Sequence, residues 1–319
     1  MNPVLSIIVP VFRAEPYLER CVQSMLQQDL AAEEYEIILV DDGSDDRCHA
    51  LCDQYAAQYA QVQVIHQANQ GQAAARNTGI QAAKGQYICF VDSDDFVEPN
   101  TYKALLQQAI DNHLDILQFR IQLVSGCKTR PVGAPHRDHT VYTGEQFVNT
   151  CLSVQCYPVI YLIRRTMLVE NKLWFTEGIF YEDVEWLPRM LYAAKRIMRA
   201  DTVVYNYVLH ADSTTHPTTK ARWLRAVQDN LTVLSRYTKL IAQKKETAWL
   251  RAMSSSIVTA ILTIVAKQFY AERKTYIRQI QDLYPLPLSS KTNFPLVEKI
   301  KTALVRISAN FYCFIRHIL

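Results

Sequence analysis

No two of the eight cysteines stand in a C-x-x-C spacing, and Cys89 falls inside an apolar run of strand length. That argues against a zinc site and suits a reducing compartment where the thiols stay free. No basic stretch followed by an apolar one opens the chain, so no secretory signal is expected. Long hydrophobic runs are missing as well. The longest in the second half, Ile257 to Ala266, is broken by threonines and falls short of the roughly 20 residues a spanning helix needs. No transmembrane segment is expected there. Low-complexity tracts and internal repeats are also absent. With 49% apolar and 20% charged residues, the composition is that of an ordinary folded protein. At 319 residues the chain is long enough for two cores, or for one α/β domain with a sizeable appendage.

The net charge of +3 hides an asymmetry. Residues 1–194 hold 14 Lys+Arg and 24 Asp+Glu, 14 − 24 = −10, so residues 195–319 carry +13. The acidic part suits a metal site, and the basic part suits an anionic partner such as a lipid surface or a phosphate-bearing acceptor. Nucleic acid is the weaker reading of the same charge, since no nucleic-acid motif accompanies it.

Short β-branched runs at Leu5 to Pro10, Tyr35 to Val40, Val62 to Ile65 and Tyr87 to Val91 have strand length. Stretches of helical length separate them: Pro16 to Gln28, Asp45 to Gln58 and Gly71 to Ala83. That alternation predicts parallel strands with crossover helices and a ligand site beyond the strands' carboxyl ends. Further on, Pro99 to Asn112 reads as a helix and Leu114 to Val124 as a strand. Ser125 to Thr143 then reads as a surface loop or hairpin, on its glycines and prolines. Gly144 to Leu152, Arg164 to Asn171 and Asp183 to Ala194 look helical, and Ile197 to Val208 looks extended. From Ala221 the pattern is helical and basic, ending in an amphipathic stretch from Leu296 to Leu319.

The chemistry-bearing residues cluster at the strand ends. Asp92-Ser93-Asp94-Asp95 closes a buried run, and a D-x-D there can hold a hard divalent cation that leaves positions for substrate phosphates. Asp41-Asp42-Gly43-Ser44 follows the second strand; it reads either as a helix-capping turn or as carboxylates that accept from a pyrimidine and a ribose. Asn69 to Gly79 opens a helix with small residues, which permits close packing on the sheet, and its Arg76 needs a carboxylate or phosphate partner. In Tyr181-Glu182-Asp183 the acids serve equally as helix N-terminal residues or, for Asp183, as a general base. His210 is a candidate metal ligand or phosphate contact, although a lone loop histidine is more often neither.

Taken in order, these pieces resemble an inverting family 2 glycosyltransferase of the A-type (GT-A) fold. The resembling residues are Ser6 to Phe12, Val40 to Ser44, Asn69-x-Gly71 with Ala75-Arg76-Asn77-x-Gly79, Phe90 to Asp95, and Tyr181-Glu182-Asp183. Phe12-Arg13 and Gln72 depart from the family's usual residues without removing a catalytic group. The resemblance implies an α/β fold with a mixed, mainly parallel sheet, and a nucleotide-diphosphate sugar, a UDP-sugar first, as donor. It implies that Pro10 and Val11 line the nucleotide pocket with Asp41, Gly71, Arg76 and Ser93, and that Asp42 contacts the base and Asp92 the ribose. Asp94 would bind Mn²⁺ or Mg²⁺, with Asp95 close by and His210 as a further candidate, and Asp183 would deprotonate the acceptor hydroxyl. The expected division is residues 1–215 as the transferase domain, with a donor half at 1–124 and an acceptor half at 125–215, and 216–319 as a basic helical region. A glycan or lipid-linked acceptor, peripheral contact with the anionic inner membrane face, a cytoplasmic location and a homo-oligomer complete the expectation.

Two other classes compete. A phosphate-receiver signalling domain also gathers aspartates at strand ends, but leaves Asp92 to Asp95 and Asp183 without a place. A non-catalytic nucleotide-sugar binder would have no use for the full set of acids.

Overall fold

The computed structural model describes residues 2–133, 135, 140–150, 156–210, 219–243, 248–284, 309 and 313. Strands β1 (Leu5–Val11), β2 (Tyr35–Asp41), β3 (Val62–His66) and β4 (Tyr87–Phe90) alternate with helices α1 (Glu15–Leu26), α2 (Cys48–Gln58) and α3 (Gln72–Ala82). They pair in parallel in the order β3-β2-β1-β4. Every residue of β1 and β2 is buried, which explains their near-continuous apolar sequence.

The remainder of the sheet is where local pattern and observed topology part. It comprises β5 (Phe96–Val97), β6 (Ile116–Ser125), β7 (Lys128–Pro131), β8 (Tyr161–Arg164) and β9 (Ile197–Val208), with α4 (Tyr102–Asp111) preceding β6. The full order is β3-β2-β1-β4-β8-β6-β9-β5, with β7 hairpinned onto β6. Strand β8, which was not anticipated, slots antiparallel between β4 and β6, and β6 pairs parallel with β9. The fold is thus α/β with a mixed sheet. Part of Ser125 to Thr143 falls outside the described residues, as does nearly all of Leu296 to Leu319.

Two compact units emerge. The first takes in residues 1–147, 157–178 and 186–213, and with them all of the sheet. The second takes in 148–156, 179–185 and 214–319. Helices α5 (Gly144–Thr150), α6 (Arg165–Glu170) and α7 (Glu182–Ala193) connect the strands, and the division falls inside α5 and α7. The second unit is built on α8 (Lys220–Gln243), α9 (Ala248–Gln268) and α10 (Arg273–Leu283). Helix α9 corrects one expectation: its apolar stretch, Trp249–Gln268, has 20 residues and is long and apolar enough to cross a membrane. Since 78% of its 18-residue apolar window is buried within the protein, it has the character of a core helix.

Close packing in the first unit depends on two glycines. A methyl at Gly79 of α3 would overlap the Ile8 side chain of β1, so the small residues of α3 let the helix lie directly on the sheet. At the opposite end of the strands, a Cβ at Gly85 would come within 2.6 Å of the Ser6 nitrogen. There the buried Glu36 carboxylate accepts from Ser6 Oγ at 2.6 Å, the Lys84 N–H at 2.6 Å and Gln63 Nε2 at 2.9 Å.

Candidate active site

Past the end of β4, Asp92 to Asp95 turn out of the sheet, closed by an Asp95 N–H to Asp92 carbonyl bond of 3.1 Å. The Tyr205 hydroxyl from β9 stands between the two acids. It accepts from the Asp92 N–H at 3.1 Å and donates to Asp95 Oδ2 at 2.7 Å. The Val208 N–H donates to Asp95 Oδ1 at 2.7 Å. Asp95 is only 1% exposed. Burial, reinforced by repulsion from Asp92, pushes its carboxyl up to about 8. Both of its oxygens are engaged in holding the turn.

Asp94 stands on the open side with its side chain 39% exposed and its Oδ2 2.8 Å from His210 Nε2. The His210 ring stacks on Tyr17 with centroids 5.0 Å apart. Its Nδ1 is buried without a partner among the described residues. A divalent cation fits this pair of donors, an accessible carboxylate and an imidazole that converge, with the carboxylate of Asp92 two residues away and Asp95 committed to the turn.

Asp92 faces a cationic partner. Its Oδ1 accepts from Arg76 Nη2 and from Gln72 Nε2, each at 2.9 Å. Arg76 is 3% exposed, and its guanidinium carbon lies 5.3 Å from the Phe175 ring centroid. Its neighbour Asn77 donates to the Phe175 carbonyl at 3.0 Å and to Glu177 Oε1 at 2.9 Å, and accepts from the Phe175 N–H at 2.8 Å. Behind them, Phe175 stacks on Trp186 at 4.2 Å and meets Phe90 edge-on at 5.5 Å. The run Ala75-Arg76-Asn77-x-Gly79 is therefore explained residue by residue: one side chain for the acidic turn, one for the 175–177 segment, and one gap for β1.

The two aspartates after β2 separate. Asp42 accepts from Gln67 Nε2 at 2.7 Å, the Gln70 N–H at 2.9 Å and the Gly71 N–H at 2.8 Å, tying β2 to the entry of α3. Gly71 holds φ +90°, a value that favours glycine. Asp41 is engaged with Ser44, His49 and His66 instead. Pro10 and Val11 are buried in β1, and Ser93 is buried in the acidic turn.

The structure therefore joins Arg76, Asp92, Asp94, Asp95 and His210 in one cluster. It adds Gln72 and Tyr205, which motif reading passed over. Gln72 stood in the helix opening, noted only as a departure from the family's usual residue, and Tyr205 within the extended stretch Ile197 to Val208, but neither has a local signal for its distant partner.

Asp183 lies in the first turn of α7 and belongs to the second unit. Its Oδ1 accepts the Val184 N–H at 2.7 Å, and Tyr181 before it holds φ +65°. Within that unit α8 grips the turn. The Phe180 N–H donates to Asp229 Oδ2 at 2.9 Å, the Tyr237 hydroxyl donates to the Val184 carbonyl at 2.8 Å, and Arg236 pairs with Glu185 at 3.0 Å. Burial raises the pKa of Tyr181, and its hydrogen bond with Asn230 partly offsets this.

The family model "Glycosyl transferase family 2" matches residues 6–170. The chain belongs to that family. It is 36% identical over 221 residues to "Uncharacterized glycosyltransferase EpsJ" of Bacillus subtilis (strain 168), covering 67% of this chain and 64% of that protein. The chain thus spans slightly less than two thirds of that relative. A second relative, the poly(ribitol-phosphate) beta-glucosyltransferase of Bacillus spizizenii, is 29% identical over 211 residues, 65% of this chain and 32% of that one. Among solved structures, S. aureus TarS 1-349 in complex with UDP-GlcNAc superposes with a TM-score of 0.70 at 19% identity, covering 100% of this chain and 88% of that chain. That likeness establishes the fold, the GT-A fold of glycosyltransferases.

Proposed function

We propose that the protein is a metal-dependent inverting glycosyltransferase, moving a sugar from a nucleoside-diphosphate sugar to an acceptor hydroxyl in surface-glycan synthesis. The observation that carries this reading is the cluster at the end of β4, where Arg76 faces Asp92 and His210 faces Asp94. A UDP-sugar is the first choice of donor, supported by the UDP-GlcNAc bound to TarS. A glycan or lipid-linked acceptor is supported by the poly(ribitol-phosphate) glucosyltransferase among the relatives.

Asp42 and the backbone it fixes at Gln70 and Gly71 form the base end of the donor pocket, with Pro10 and Val11 as its floor and Asp41 and Ser93 at its edge. Asp92 receives the ribose, and Arg76 holds that carboxylate in place. Asp94 and His210 hold the cation, while Asp95 and Tyr205 keep the turn rigid. A bound Mn²⁺ or Mg²⁺ supplies Lewis-acid stabilisation of the departing diphosphate. Asp183 takes the proton from the acceptor hydroxyl, whose oxygen attacks the anomeric carbon from the face opposite the diphosphate, so that carbon inverts. Residues 1–124 serve the donor and 125–215 the acceptor. The basic 216–319 region contacts the anionic inner face of the membrane.

A thermal-shift screen of UDP-, GDP- and dTDP-sugars, each with and without Mn²⁺, tests the reading. Stabilisation by one nucleotide class that grows with Mn²⁺ is expected, and no shift with any of the three overturns it.

A further inference from the structure

A second group of metal-ligating side chains lies at the corner of β2, α2 and β3. Asp41 ends β2, His66 ends β3 in direct register with it, and His49 and Asp53 stand one turn apart on α2. Both imidazoles aim the same nitrogen at one oxygen: His49 Nδ1 is 3.0 Å and His66 Nδ1 is 2.8 Å from Asp41 Oδ2. The rings are stacked with centroids 3.8 Å apart at 28°. Beyond them, Asp53 offers one oxygen to each remaining nitrogen, Oδ1 at 3.0 Å from His66 Nε2 and Oδ2 at 4.0 Å from His49 Nε2. Asp41 is 1% exposed, whereas the side chains of His49, His66 and Asp53 are 56%, 31% and 56% exposed, so the buried carboxylate meets its partners at the protein surface.

The proton inventory of this arrangement leaves two ways to satisfy it. A neutral imidazole carries one N–H. If Asp53 receives the Nε2 protons, both Nδ1 lone pairs face the Asp41 carboxylate, which is repulsive. If Asp41 receives the Nδ1 protons, the Nε2 lone pairs face Asp53 instead. Three of the four contacts lie at hydrogen-bond distance, and protons satisfy them only with His66 as an imidazolium donating to both carboxylates and His49 neutral and donating from Nδ1, so that a charged ring is stacked on its neighbour. A single divalent cation among Asp41 Oδ2 and the two Nδ1 atoms satisfies the same contacts with both rings neutral, with Asp53 accepting from the His66 Nε2–H. A carboxylate behind a ligating histidine, fixing its tautomer, is the usual outer support of such sites.

We propose that Asp41, His49 and His66 bind a borderline transition-metal ion of the Zn²⁺ class, with Asp53 orienting His66. Their ligand atoms all lie within 4.8 Å of one another. Tetrahedral Zn²⁺ with bonds near 2.0–2.1 Å needs ligand atoms about 3.3 Å apart, so on loading each Nδ1 draws a few tenths of an ångström away from Asp41 Oδ2. Two imidazoles favour Zn²⁺ over Mg²⁺, which separates this site from the carboxylate-rich one at Asp94. The cysteine spacing gave no hint of it, because its ligands are nitrogen and oxygen. The ion would clasp the ends of β2 and β3 to α2, one residue before Asp42.

The test uses the full chain stripped with a chelator and carrying Asp94→Ala, which removes the carboxylate of the other candidate cation site and leaves it only His210. Zn²⁺ titration by calorimetry and Co²⁺ titration by visible absorption are expected to give one bound equivalent and an intense four-coordinate spectrum. His49→Ala/His66→Ala on the same background should abolish both, and Asp53→Asn should weaken Zn²⁺ binding by about 10- to 100-fold. Absence of binding, or binding unchanged in the double histidine variant, overturns the proposal. Should that double variant fail to fold by circular dichroism, the Co²⁺ spectrum of the Asp94→Ala protein decides alone: an intense spectrum supports the site, and a weak six-coordinate one overturns it.

Discussion

At the scale of single residues, three acids of similar chemistry occupy three different environments. Asp92 is paired with buried Arg76, Asp94 is open beside His210, and Asp95 is enclosed by Tyr205 and Val208. Replacing Asp94 by alanine is expected to abolish the Mn²⁺-dependent part of donor binding, read by thermal shift with and without the ion. Asp183→Asn is expected to retain donor binding while transfer falls by about 10²- to 10⁴-fold, the worth of a placed general base. Transfer at the parent rate would reject that role. Tyr205→Phe removes a hydroxyl that serves two buried groups, the Asp92 N–H and Asp95 Oδ2, at a cost of about 1–3 kcal/mol in urea unfolding. The motif Asp92 to Asp95 was legible as an acidic strand end. The separate duties of its members were not, because each is set by a partner more than a hundred positions later, or, for Asp92, by Arg76 on the preceding helix.

At the scale of elements, α3 and α8 each position a segment that carries a proposed site residue. Helix α3 reaches β1 only because Gly79 carries no side chain, so Gly79→Val is expected to destabilise the protein by about 1–3 kcal/mol through overpacking against Ile8. Chemical denaturation with an unchanged midpoint would contradict that. Helix α8 grips the turn bearing Asp183 through Asp229, Arg236 and Tyr237. The double variant Arg236→Ala/Tyr237→Phe is therefore expected to lower the transfer rate while leaving nucleotide-sugar affinity unchanged. Equal loss of both would make α8 a general support. The periodicity of residues 1–124 made their strands and helices readable, since buried parallel strands are near-continuous apolar runs. Strand β8 escaped because its four residues follow a single 3₁₀ turn and give too short a pattern to distinguish strand from helix.

For the whole molecule, charge is the property with a consequence of its own. The acidic residues 1–194 and basic residues 195–319, −10 against +13, favour an anionic partner for the later part of the chain. Co-sedimentation with vesicles of anionic phospholipid is expected at low salt and should fall as ionic strength shortens the screening length to about 8 Å near physiological salt. Absence of binding at low salt would rule out membrane contact through this charge. The family model ends at residue 170, before Asp183 and before α8, while the likeness to EpsJ over 221 residues and to TarS over the whole chain extends past it.

Amino-acid order by itself determined the alternation of strands and helices, the acidic ends of β2 and β4, and the kinship they announce, because periodicity and turn chemistry act over a few residues. The tertiary structure alone decided that β8 runs antiparallel beside β4, that Tyr205 bridges Asp92 and Asp95, and that His49 and His66 converge on Asp41. Those contacts depend on which strand lies beside which, and a register fixed by the burial of a whole sheet leaves no mark in any one segment.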